Sequence, residues 1–298
     1  MSGAANRRIE YVFFTILALL WGSSYLFIKV AVAEIPPVTL IAMRVAGAAV
    51  FLTIVLLLQQ KTMPRELRTW GQFGIQAIFN SIAAWTALAW GQQFVGAGLA
   101  SVLNSTAPIF VFLFTALVTR HEALDGRKLI GAVVGLIGVI LIVGVDALAG
   151  LGGAVAGQVA CLVGAMLYAG AAIYGKRFAQ VGALQTALGT MLWATAVLVP
   201  AAFVLENPLA LSPSPKALAA TAILSIFCTG VALLIYFRLV HTLGSLGVAS
   251  QAYLRAGVGV ILGVVLLGET ITPMVLIGLV AAIAGVAMIN APTRQRQG

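Results

Sequence analysis

Between Arg68 and Arg120 the chain carries no aspartate, glutamate, lysine or arginine, and a second uncharged run separates Arg177 from Glu206. A water-soluble domain would need an implausibly large apolar interior to bury such runs. Over all 298 residues 61% are hydrophobic and 8% charged, with a mean hydropathy of +1.08, where an average globular chain is about one quarter charged. The chain therefore reads as an all-α integral membrane protein, since a helix satisfies its own backbone groups in lipid.

The apolar runs are also repeated. GLASVLNSTAPIFVFLFTALVTRHE, Gly98 to Glu122, returns as GVASQAYLRAGVGVILGVVLLGE, Gly247 to Glu269. After each acid comes another apolar run, containing Leu129-Ile130-Gly131 in one case and Leu276-Ile277-Gly278 in the other. Internal symmetry of this kind is a mark of secondary transporters. The division it suggests is 1–148 and 149–298, on either side of a glycine-rich joint at 149–153.

At 1.5 Å per helical residue and a hydrocarbon core of about 30 Å, the pattern predicts ten spans. They fall near 11–33, 38–59, 70–92, 98–122, 128–145, 154–175, 184–205, 216–239, 247–267 and 273–291. Pro36-Pro37 suits the turn into the second, because proline fits a helix start and not its middle. A cleaved signal peptide is the competing reading of the first run, with Ala31-Val32-Ala33 resembling a cleavage site. The run's length, Lys29 within it and the spans that follow weigh against that.

With this topology Arg7, Arg8, Lys61, Arg65, Arg68, Arg120, Arg127, Lys128, Lys176, Arg177, Arg238, Arg294 and Arg296 share one face, and Lys216 lies in a loop opposite. The positive-inside rule makes that face, and both termini with it, cytoplasmic. A five-span period places the two halves in opposite orientations, an inverted repeat. The net charge of +9 then follows from topology. Basic residues scattered singly between spans make no nucleic-acid surface. Cys161 and Cys228 lie within apolar runs and read as small packing residues, with no disulfide.

WGSSYLFIK in the first span, NSTAPIF in the fourth and the acid-led return after it resemble the drug/metabolite transporter superfamily in its EamA-type branch. Within that branch, the aromatic-rich, acid-poor interior is most similar to YddG-type amino-acid exporters. The resemblance implies a basket of helices around a central cavity, with the fifth and tenth packed outside it, and alternating access by rocking of the helices.

The residues lead to the same place by another route. Gly131, Gly135 and Gly138 in the fifth span, and Gly278 and Gly285 in the tenth, have the spacing that lets helix backbones approach closely. Polar residues at membrane depth concentrate in the first, third, fourth, sixth, eighth and ninth spans, which are therefore expected to surround the cavity. Trp21, Ser24, Tyr25 and Ile28 share one helix face; Ser81, Trp85, Leu88 and Gln92 share another, with Asn80 beside them. Tyr168, Thr229 and Tyr236 belong to the sixth and eighth spans, and Asn104, Gln251 and Arg255 to the fourth and ninth. Trp21, Ser24, Asn80, Trp85, Asn104, Tyr168, Tyr236, Gln251 and Arg255 are the candidate substrate-binding residues. The alternative for each aromatic is core filling or an interfacial position. Pro108 frees the carbonyl of Asn104 and bends its helix, so Pro108 and its repeat mate Gly257 are candidate hinges, against a static kink.

Arg44 and Arg255 sit deep, and an intramembrane cation is a functional suspect. Each can grip a substrate carboxylate, satisfy helix-end carbonyls or snorkel; for Arg44 the structural readings, helix-end carbonyls or snorkelling toward the nearer surface, are favoured over the grip. No acid lies in the middle of a span, which argues against an exporter of cationic drugs. His121 and His241 sit at helix ends, where proton coupling through His241 is a minor option. A membrane hydrolase would need a base beside Ser24, Ser101 or Cys161, and none is deep enough; an ion channel would show charged rings or a carbonyl filter. The expectation is a multi-pass inner-membrane exporter, not an enzyme and without metal or other cofactor. Its partners are the bilayer and small neutral or aromatic amino acids or similar metabolites, moved down their gradients. Anionic or phosphorylated metabolites, or a proton-coupled drug or metabolite export, are the alternatives.

Overall fold

The computed structural model describes residues 2–117, 126–143, 153–178, 180–236, 238–239 and 251–290, which contain helices and no strand. Six segments among them are long and apolar enough to cross a membrane: Ile9–Val32, Pro37–Leu58, Ala97–Thr115, Gly153–Phe178, Ala183–Leu205 and Pro215–Tyr236. Shorter apolar helices run over Leu254–Leu267 and Pro273–Met288.

In chain order, α1 (Ser2–Val32) turns through Pro36 into α2 (Pro37–Leu58), where Pro37 takes the first helical position. Next come α3 (Leu67–Ala77), a π-helical segment over Ile78–Ile82, and α4 (Ala83–Gly91). The run around Asn104 is two helices, α5 (Ala97–Asn104) and α6 (Ala107–Leu117), separated at Ser105 and Thr106. Beyond α7 (Gly126–Val143) and α8 (Gly153–Gly175) lie α9 (Ala183–Leu205) and α10 (Pro215–Ser225). The Ser214 hydroxyl accepts from the Ala217 N–H and caps α10. A second π-helical segment spans Ile226–Val231; α11 (Gln251–Leu267) and α12 (Pro273–Asn290) complete the described chain.

The largest buried cluster draws on α1, α2, α4, α5, α9 and α10, with Leu40, Ile41, Leu52, Leu103, Leu188 and Leu224 at its centre. Around it α2 packs on α9 and α10, α3 on α9, α1 on α10 and α11, α5 on α11, and α8 on α4 and α6.

The remaining pair, α7 and α12, pack on each other through glycine, as their spacing leads one to expect. A Cβ on Gly138 would stand 2.6 Å from the Gly278 carbonyl oxygen and 2.7 Å from the Ala282 nitrogen. Their other faces carry Ile130, Val133, Ile137 and Ile140 on α7 and Ile277 and Val280 on α12, all exposed. An outward stripe of aliphatic residues at helical spacing suits lipid and not water.

Candidate functional site

Three of the candidate residues, Trp85, Asn104 and Tyr168, meet Tyr25 and Arg44 along α1, α2, α4, α5 and α8. Trp85 of α4 is 5% exposed and its indole N–H donates to the Tyr168 hydroxyl of α8. The guanidinium carbon of Arg44 lies 3.7 Å from the centroid of the Trp85 ring. Arg44 is 5% exposed, so it does not snorkel. Its Nε donates to the Thr229 hydroxyl at 2.9 Å. Across the cluster the Asn104 amide donates to the Tyr25 hydroxyl at 2.6 Å, and Asn104 Oδ1 is buried with no partner among the described residues.

The π-helical segment over Ile226–Val231 is what places Thr229. Its wider turn lets the Thr229 hydroxyl reach back five residues to the Leu224 carbonyl at 2.8 Å while receiving Arg44. One residue before that segment, the Ser225 hydroxyl donates to the Arg44 carbonyl oxygen at 2.9 Å. Helix α10 and the π-helical segment after it thus hold Arg44 at both its main chain and its side chain.

Other candidates lie elsewhere. Trp21 packs against Tyr236, ring centroids 5.3 Å apart, in a separate cluster with Phe13, Phe14 and Leu17. The Ser24 hydroxyl donates to its own helix at the Leu20 carbonyl, and Asn80 donates to Ser81. Ser81, Trp85, Leu88 and Gln92, read as one stripe, are all buried. Arg255 is half-buried on α11, its Nε enclosed and without a hydrogen-bond partner among the described residues. The side chain of Gln251 lies outside the described residues, as do His121 and His241. Pro108 stands in the first turn of α6, and the interruption itself falls before it at Ser105-Thr106. There the two hydroxyls donate back to the Val102 and Leu103 carbonyls, each at 2.6 Å. Helix α11 runs through Gly257 unbroken.

One end of the bundle is tied by acids. Glu206, after α9, accepts from the Val38 and Thr39 N–H groups at 3.0 and 2.6 Å, at the start of α2. Glu269, after α11, accepts from Ala97 and Gly98 at 2.6 and 2.8 Å, at the start of α5. Glu34, after α1, accepts from the Ser214 N–H and hydroxyl at 2.6 and 2.7 Å, at the start of α10. A carboxylate there meets both the unsatisfied N–H groups of a helix start and the positive end of its dipole. The two donated bonds hold the Glu34 carboxyl below its ordinary range. At the same end the Lys29 ammonium donates to the Gln92 and Val95 carbonyls at 2.7 and 2.9 Å, after α4. Each acid clamp joins an element before residue 149 to one after it.

The EamA-like transporter family matches this chain twice, over residues 8–144 and again over residues 155–291. The chain belongs to the EamA-like transporter family. Among similar proteins of known name, the Escherichia coli K12 "Uncharacterized inner membrane transporter YedA" is 27% identical over 280 residues, 92% of this chain and 88% of that one. The Bacillus subtilis "Uncharacterized transporter YoaV" is 24% identical over 274 residues, 91% and 93% of the two chains. A crystal structure at 19% identity superposes with a TM-score of 0.67, covering 94% of this chain and 96% of the other, which bears on the fold alone. This EamA-like protein is accordingly a multi-pass membrane transporter.

Proposed function

We propose that this EamA-like protein is an exporter of small amphipathic metabolites, foremost neutral and aromatic amino acids, in the bacterial inner membrane, working by alternating access. The observation that carries the reading is the meeting of Tyr25, Trp85 and Tyr168 with Arg44 and Asn104 in the bundle, with no carboxylate of the described residues in hydrogen-bond contact with them. Aromatic faces suit an apolar side chain, and a few fixed polar groups orient a solute. The acid a cationic drug would require is missing from that set.

Alternating access gains support from how the helices pair. Taken as ten spans, 1 with 9 and 6 with 4, 1 with 8 and 6 with 3, and 3 with 7 and 8 with 2 are packed pairs that exchange when the halves exchange. The two π-helical segments occupy corresponding places in spans 3 and 8. Inverted halves of this kind rock about a site between them. The acid-clamped end lies away from the basic loops, so the positive-inside rule makes it the outer face, with both termini cytoplasmic and the outside gate shut. The YedA name, with its "inner membrane" location, agrees with that compartment.

The test is counterflow in liposomes loaded in turn with phenylalanine, threonine, a sugar phosphate and a cationic dye. Exchange of the amino acids above protein-free liposomes is expected. Exchange of the dye alone would reverse the reading.

A further inference from the structure

Arg44 is enclosed with no counter-ion among the described residues. Among the described carboxylates, Glu34, Glu206 and Glu269 hold helix starts, Glu10 pairs with Arg238 at 2.9 Å, and Glu66 accepts from Thr69. The Arg44 partners on the protein are a neutral hydroxyl at Nε and a ring face; its two terminal nitrogens have no hydrogen-bond partner among the described residues. An uncompensated buried cation is costly, several kcal/mol after relaxation on the usual scale, and a cation–π contact returns about 2. The group is nevertheless held from three sides, by Thr229, Trp85 and the Ser225 grip on its main chain. Rigid support for a charge that the protein leaves unneutralised is what a binding group needs and what a packing residue does not.

A second cation stands near. Arg255 lies on α11 against α1, where a Cβ on Gly22, one turn before Tyr25, would stand 2.9 Å from the Arg255 carbonyl oxygen. The enclosed Arg255 Nε also lacks a partner.

Building on the transport reading above, we propose that the solute of this protein carries an oxyanion, a carboxylate or a phosphate, bound by the terminal nitrogens of Arg44 with Arg255 as the second cation. A planar guanidinium takes either group through two parallel hydrogen bonds, and a lysine in its place supplies charge without the fork. For an amino acid the unpartnered Asn104 Oδ1, joined through Tyr25 to the same cluster, is an acceptor for the ammonium. Transported solutes are thereby chosen by their anionic end, while the aromatic faces tolerate a range of side chains.

The test is the unfolding midpoint of the full chain purified in detergent, which a ligand of the native state raises in proportion to occupancy. The probes are phenylalanine, phenylalaninol, which lacks the carboxylate, and glucose 6-phosphate. Phenylalanine or the phosphate is expected to raise the midpoint and phenylalaninol to leave it; which of the two acts names the oxyanion. Arg44→Lys is expected to weaken the responsive ligand at least about tenfold, the equivalent of 1.4 kcal/mol, and Arg44→Gln to abolish the response. Arg177→Gln, an exposed arginine, retains it. Where Arg44→Gln fails to fold, Arg44→Lys and Arg255→Gln decide the matter. Equal shifts from phenylalanine and phenylalaninol, no shift from any oxyanion, or an undiminished response in Arg44→Lys overturns the proposal. Counterflow of phenylalaninol as fast as phenylalanine would also overturn it, yet leave transport itself standing.

Discussion

Asn104 shows how much of a polar residue's setting lies beyond its own stretch of sequence. Its depth and the proline four residues on make it a candidate, but its partner, the Tyr25 hydroxyl, belongs to another helix and no local pattern joins them. Hydrogen bonds between membrane helices average about 0.6 kcal/mol. Tyr25→Phe leaves a buried amide with neither end paired, since Oδ1 already lacks a partner. The larger cost of an unsatisfied buried group, about 1–3 kcal/mol, therefore applies. Thermal unfolding in detergent is expected to show that loss for Tyr25→Phe. Arg44, two turns from a helix start, has the position of a snorkelling residue, and what holds it inward is Thr229 and Trp85 from distant helices, which no local pattern reveals. Glu34 gives a pH prediction. Its folded pKa is depressed, so its clamp contributes fully above the ordinary value of 4.5 and is lost as pH falls through the lower folded value. The unfolding midpoint is expected to fall with acid across that window, and Glu34→Gln to flatten that part of the curve.

Among the elements, apolar length is legible in the sequence wherever a helix is continuous, and its interruptions are not. Hydropathy cannot register the π-helical segments at Ile78–Ile82 and Ile226–Val231, because each changes the hydrogen-bond register without changing how apolar the run is. The break between α5 and α6 is signalled by Pro108, yet falls earlier, where Ser105 and Thr106 turn their hydroxyls onto the preceding turn and compete with the helix. Glycine spacing does anticipate the α7–α12 crossing. A methyl added at Gly138 meets main-chain atoms of Gly278 and Ala282, which cannot step aside as a side chain would. Gly138→Ala is expected to destabilise the protein by about 1–3 kcal/mol, the usual cost of overpacking. Gly71, exposed on α3 with nothing within 4 Å of where its Cβ would stand, provides the contrast. Gly71→Ala is expected to gain about 0.5–1 kcal/mol from helix propensity. Paired unfolding curves in one detergent check both.

At the scale of the molecule, the acids that sequence assigns to loops prove to be ties between the two halves. Glu206 and Glu269 in the second half hold helix starts in the first, and Glu34 does the reverse. Gly96, Gly98 and Gly263 make room for the Glu269 carboxylate: a Cβ on Gly96 would lie 2.7 Å from it. Opening that end requires separating charged acceptors from N–H groups, and charge-assisted bonds are roughly twice as strong as neutral ones. Replacing Glu206 and Glu269 with glutamine keeps the shape and one acceptor per side chain but removes the charge, which lowers the opening cost without dismantling the helices. A cysteine at Ile28, buried at 2% exposure on α1 one residue before Lys29, reports on that opening once the buried Cys161 and Cys228 are replaced by alanine. In proteoliposomes with the clamped end outward, a membrane-impermeant maleimide is expected to label Ile28→Cys several-fold faster in the Glu206→Gln/Glu269→Gln background. Equal labelling in both backgrounds would mean that the acid ties brace the halves without controlling access between them.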